Sequence, residues 1–135
     1  MRVFLDTNVL ISAFATRGLC ADLLRYVLAE HELLVGEVVL TELRRILRER
    51  IGVPDPVVAE IEELLGSQTV IPAPSRHLEL GLPDPDDEWI VASARAAEAD
   101  ALITGDNDIL GEKGRIPVPV YSPREFWDSE ARKGS

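Results

Sequence analysis

Four things are scarce in this 135-residue chain: cysteine, histidine, positive charge and long apolar runs. The single cysteine, Cys20, excludes an internal disulfide and any cysteine-rich metal site. No apolar stretch approaches the roughly 20 residues that span a bilayer. The opening Met1-Arg2-Val3-Phe4-Leu5 meets Asp6 before a signal-peptide apolar region can develop. Lys and Arg number 14 against 24 Asp and Glu, a formal charge of −10. That balance excludes a protein that grips nucleic acid through bulk positive charge, which rests on a basic surface. It leaves a basic protein partner, a cation site or plain solubility. The chain reads as a soluble, cytoplasmic, acidic globular domain with no internal repeat.

What is present suits one core: 46% of residues are hydrophobic and 28% charged, outside the disordered range. Length argues for a single domain, drawn as residues 1–128, with 129–135 as a disordered tail. Short apolar runs alternate with helical patterns. Val3-Phe4-Leu5, Leu33-Leu34-Val35, Thr69-Val70-Ile71, Ala101-Leu102-Ile103 and Val118-Pro119-Val120 read as strands, the last at an edge because of its prolines. Between them lie helical patterns, including Val39 to Ile51, ending at Gly52, and Asp86 to Glu98, rich in small residues. Strands separated by helices predict an α/β fold of three layers, a mostly parallel sheet of four to five strands flanked by helices.

Parallel α/β sheets bind ligands at the carboxyl ends of their strands. Asp6 stands there after the first apolar run, and Thr104-Gly105-Asp106 after the fourth. Either Asp could simply cap a helix. Glu42 borders the apolar stripe of its helix, three residues after Val39 and four before Ile46, with Arg45 at a spacing that allows an ion pair. Asp87 shares a face with Ile90, Val91 and Ala94, whereas Asp84, Asp86 and Glu88 are accounted for by the helix dipole. Four carboxylates converging without Lys or Arg between them would repel one another. A divalent cation would compensate, and oxygen ligands suit Mg²⁺ or Mn²⁺.

Four motifs in this order resemble the PIN domain, the small metal-dependent nuclease family that includes VapC-type toxins of toxin–antitoxin pairs. They are Phe4-Leu5-Asp6-Thr7-Asn8-Val9-Leu10, Val38-Val39-Leu40-Thr41-Glu42-Leu43, Asp84-Pro85-Asp86-Asp87-Glu88-Trp89-Ile90, and Leu102-Ile103-Thr104-Gly105-Asp106-Asn107-Asp108. The resemblance spans Arg2 to Trp127. It implies that Asp6, Glu42, Asp87 and Asp106 are the catalytic and metal-binding acids, supported by Asn8 and Thr104. Asp108 is implied as an extra ligand or supporting acid, and Asp84 or Asp86 replaces Asp87 if the register shifts. It also implies Mg²⁺ or Mn²⁺ as cofactor, RNA as substrate, products with a 5′-phosphate and a 3′-hydroxyl, a basic antitoxin as partner, and a homodimer.

The residues offer little for other chemistry. His31 and His77 sit in unrelated contexts and read as surface residues, and Cys20 reads as a small core residue without a histidine partner. Candidate phosphate contacts are Arg17, Arg25, Arg44, Arg45, Arg48, Lys113 and Arg115, and Trp89 or Trp127 could stack a base or pack internally. A phospho-acceptor domain would need an acid pair at the first strand, where Thr7 follows Asp6. A DNA-directed or housekeeping nuclease of the same fold and a non-catalytic binding module are the remaining alternatives.

Overall fold

The computed structural model describes residues 1–76 and 78–133, so His77 and the last two residues lie outside the described residues. Five strands form one sheet: β1 (Arg2–Leu5), β2 (Glu32–Gly36), β3 (Thr69–Ile71), β4 (Ala101–Ile103) and β5 (Val120–Tyr121). Their order is β3-β2-β1-β4-β5, and every neighbouring pair is parallel. Among the described residues seven α-helices flank the sheet: α1 (Thr7–Ala15), α2 (Leu19–Glu30), α3 (Glu37–Ile46), α4 (Asp55–Gly66), α5 (Pro85–Ala96), α6 (Asn107–Leu110) and α7 (Pro123–Lys133). This is the three-layer α/β architecture the alternation predicts.

Burial explains the strand sequences. Central strands covered on both faces need continuous apolar runs rather than alternation. Val3, Phe4, Leu5, Leu33, Leu34, Ala101, Leu102 and Ile103 are all 2% exposed or less. Each large apolar side chain so buried contributes about 1.5–3 kcal/mol of transfer free energy. Gly36 has a packing reason: a Cβ there would lie 2.9 Å from Phe4 Cζ, so glycine lets the end of β2 pass the ring on its way into α3.

Topology places the site. From β1 the chain winds through β2 to β3 on one side, then returns to β4 and β5 on the other. The winding direction therefore switches between β1 and β4, and a crevice opens at the carboxyl ends of those two strands. In register, Leu5 pairs with Ile103, so Asp6 and Thr104 emerge side by side.

Several boundaries differ from expectation. The helix expected from Val39 to Ile51 does end at Gly52, at φ 76°, but its last turn, Leu47–Ile51, is π-helical rather than a continuation of α3. The fifth strand pairs only over Val120–Tyr121, because Pro119 has no N–H to give and offers only its carbonyl, which accepts from Leu102 N at 2.8 Å. The tail expected from residue 129 is instead the last part of α7, which runs to Lys133 and buries Glu130. His31 is likewise no surface residue: its side chain is 12% exposed, with Nε2 2.5 Å from Glu130 Oε1. A carboxylate buried under α7 with an imidazole partner holds that helix on α2.

Candidate metal centre

The site is built from strand ends and helix starts. Asp6 leaves β1 in extended conformation and caps α1, Oδ1 accepting from Thr7 N at 2.7 Å. Its Oδ2 accepts from Thr104 Oγ1 at 2.7 Å and from Asn8 Nδ2 at 3.1 Å. Thr104 Oγ1 also accepts from Asp106 N at 3.0 Å, and Asn8 Oδ1 accepts from Gly105 N at 2.9 Å. These bonds tie the β1 and β4 ends into one frame. Asp106 caps α6 through Asp108 N at 2.8 Å, and Asp84 caps α5 through Asp86 N at 2.9 Å. Capping thus explains one oxygen of each of these residues and leaves others for different work.

Asp6, Glu42, Asp87 and Asp106 line one cavity of about 440 Å³, together with Asn8, Asp84, Asp86 and Arg50. Asp87, Asp106 and Asp108 form a tighter group, each with a carboxylate oxygen within 4.8 Å of the others. Asp6 and Glu42 stand outside that group on the same cavity. Among the described residues no Lys or Arg pairs with Asp6, Glu42, Asp87 or Asp106. The Glu42–Arg45 pair that helical spacing allows does not form. Arg44 bonds Glu62 at 2.6 Å and Arg48 lies 3.1 Å from Asp55 instead.

Electrostatics follow. Burial pushes the Asp6 carboxyl up to about 6, against the Thr104 and Thr7 hydrogen bonds, with the Glu42 and Asp106 charges adding to the rise. Asp87 is also pushed well above the ordinary carboxylate range, by burial first and then by the adjacent Asp106, with Asp6 and Asp84 contributing. Asp87 Oδ2 is buried and has no hydrogen-bond donor. Such a group costs about 1–3 kcal/mol or more. An oxygen-only donor set with one orphaned acceptor fits a hard divalent cation.

Two residues escaped the sequence reading. Arg50 and Ile51 reach the cavity from the π-helical turn, a widening often found at functional sites. Glu42, Ile46 and Arg50 are spaced by four, which any helix keeps on one face, and that spacing was the available signal. Glu88, assigned to the helix dipole, is instead 6% exposed and accepts from Leu80 N and Gly81 N, pinning the proline-rich loop to α5. No sequence pattern marked that loop contact.

Comparison with known proteins bears on the family and the fold. A PIN domain family model matches residues 2–108. No curated protein matches the chain by sequence. Among solved structures, VapBC2 from Rickettsia felis bound to a promoter DNA fragment aligns at TM-score 0.66 and 17% identity, over 90% of this chain and 98% of that one. A toxin–antitoxin complex from Klebsiella pneumoniae aligns at TM-score 0.66 and 19% identity, covering 90% and 97%. VapBC-1 from nontypeable Haemophilus influenzae aligns at TM-score 0.63 and 21% identity, covering 92% and 99%. At these identities the likeness is one of fold.

Proposed function

We propose, from the premise that this chain belongs to the PIN domain family, that it is a divalent-cation-dependent endoribonuclease of the toxin type. One observation carries the reading: Asp87, whose Oδ2 is buried without a donor, has a carboxylate oxygen within 4.8 Å of oxygens of Asp106 and Asp108. Asp6, Glu42, Asp87 and Asp106, with Asp108 beside them, would hold Mg²⁺ or Mn²⁺. The chemistry such an ion supplies when bound is neutralisation of phosphate charge and acidification of water.

The chain's own residues account for the remainder. Thr104 and Asn8 aim Asp6, and the Thr104 and Thr7 hydrogen bonds limit how far burial raises its pKa. Arg50, at the cavity rim, is placed to meet a phosphate of the strand. No side-chain nucleophile is called for: burial pushes the Cys20 thiol up, away from thiolate, and His31 is committed to Glu130. The solved structures of similar fold are toxin–antitoxin complexes, which supports a protein inhibitor presenting Arg or Lys to the acidic cavity. A homodimer and a cytoplasmic site of action belong to the same reading. Among the described residues no helix is long and apolar enough to cross a membrane.

The test is cleavage of single-stranded RNA with Mn²⁺ or Mg²⁺ against chelator. Cleavage is expected only with the ion, and Asp6→Asn is expected to lose at least about 100-fold of the rate while keeping the wild-type circular dichroism. Wild-type rates in that variant, or cleavage in chelator, would overturn the assignment.

A further inference from the structure

Among the described residues, five of the 14 basic side chains make no ion pair or hydrogen bond: Arg17, Arg45, Arg50, Arg76 and Arg95. In a chain with 24 acids this is a selective omission. Arg44 and Arg48, on the same helical segment as Arg45 and Arg50, are both paired.

Four of those five arginines open onto three adjoining cavities. Arg50 lines the acidic one. The next, about 480 Å³, shares Glu42, Asp86 and Ile90 with it and is lined by Arg45 and Trp89. The third, about 300 Å³, shares Pro74 with the second and is lined by Arg76 and Arg95. Helix α5 borders all three, from Asp86 to Ala96, a run of about 15 Å. A positive side chain therefore recurs along a path that begins at the candidate metal centre, and a half-buried indole stands at its middle.

We propose that single-stranded RNA leaves the acidic centre along α5, its phosphates met by Arg45, Arg76 and Arg95 and one unstacked base received beside Trp89. The inference rests on the nuclease reading and names how that site holds its substrate. Local cations spaced along a groove with an aromatic platform are what a single strand needs, and they reconcile nucleotide binding with a net charge of −10. A duplex keeps its bases stacked and has none to offer the indole.

The test is binding without turnover. A fluorescein-labelled 12-nucleotide single-stranded RNA is titrated with the full chain in chelator, across a range of salt, and followed by anisotropy. Arg76→Ala with Arg95→Ala is expected to weaken binding and to reduce the slope of log affinity against log salt by about 1.4, about 0.7 for each lost phosphate contact. In a Trp127→Phe background the same RNA is expected to quench the emission of Trp89. Unchanged affinity and slope in the double variant would overturn the path, as would equal binding of a duplex of the same sequence or of polyglutamate. If RNA binds as proposed yet is never cut with Mn²⁺, the path stands and the nuclease reading falls. If RNA is cut normally and the double variant binds as wild type does, the reverse holds.

Discussion

The two ends of the parallel sheet treat charge in opposite ways. At the carboxyl end, Asp6, Glu42, Asp87 and Asp106 face one cavity without a cationic partner, and Asp87 keeps an orphaned oxygen. At the amino end the charges are matched. Arg2 Nη1 bonds both Glu32 oxygens at 3.1 Å, Arg2 N donates to Asp100 Oδ2 at 2.8 Å, and the guanidinium also donates to Ala97 O. Glu130 accepts from Tyr26 at 3.0 Å, meets His31 at 2.5 Å and has Lys133 Nζ 3.0 Å from its second oxygen. Glu32 and Glu130 at the amino end have cationic or imidazole partners, although Glu130 Oε2, like Asp87 Oδ2, accepts no hydrogen bond; the four acids at the carboxyl end have no such partner. The amino end serves stability, and on the proposed reading the carboxyl end gives stability up for a ligand.

The largest test of that contrast is pH. Asp6 has its folded pKa raised from 3.8 to about 6, so the native state holds a proton that the unfolded chain releases between those values. Its contribution to stability is full below 3.8 and is lost as pH rises through about 6. The loss is on the order of 3 kcal/mol, and Asp87 acts in the same direction and extends it to higher pH. In chelator the protein is therefore expected to unfold at lower denaturant concentration at pH 7.5 than at pH 5, with Asp6→Asn flattening the difference. A wild-type midpoint that rises over this range would show that the carboxyl end is compensated after all.

Next in size is the effect of the ion itself. At 100 times its Kd, Mn²⁺ is expected to stabilise the native state by about 2.7 kcal/mol, a melting shift of several degrees. Asp87→Asn is expected to remove that shift and, in chelator, to melt above wild type, because it removes a desolvated, repelled carboxyl while keeping its volume. If the variant is destabilised and still responds to Mn²⁺, Asp87 is a structural residue.

The sequence carried the architecture because local rules decide it. Runs such as Val3-Phe4-Leu5 and Ala101-Leu102-Ile103 are apolar throughout, as strands buried on both faces must be, and the helices between them dictate parallel pairing. The acids at the strand ends were legible for the same reason: topology alone brings Asp6 beside Thr104. Arg50 was legible only through its spacing of four from Ile46 and eight from Glu42, and nothing in that spacing marks the change to a π-helical turn at Leu47–Ile51. Glu88 turned inward because the loop at Leu80 and Gly81 offers it two N–H groups, a contact set by a segment with no periodicity. The ordered end of α7 was hidden for a related reason. A polar stretch such as Glu130-Ala131-Arg132-Lys133 reads as frayed until Tyr26 and His31, about a hundred residues away in sequence, are placed against it.

That last contact supplies the smallest effect and the cleanest control. Burial pushes the Glu130 carboxyl up, but its contacts with Lys133, His31 and Tyr26 outweigh this and hold it below the ordinary glutamate value. The sign is opposite to that of Asp6: the stability Glu130 contributes is present above 4.5 and is lost as pH falls toward its lowered folded pKa. Glu130→Gln keeps the shape and one acceptor while removing the charge that His31 and Lys133 face, and is expected to cost about 1–2 kcal/mol at neutral pH. Measured by urea unfolding at pH 7, that loss should shrink toward pH 3, whereas Mn²⁺ stabilisation and RNA cleavage should match wild type, since Glu130 and the acidic cavity lie at opposite ends of the sheet. A change in Mn²⁺ affinity in this variant would mean that the two ends are coupled through α2 and α1, which pack on each other, and that the amino end helps to shape the site as well as to hold the fold.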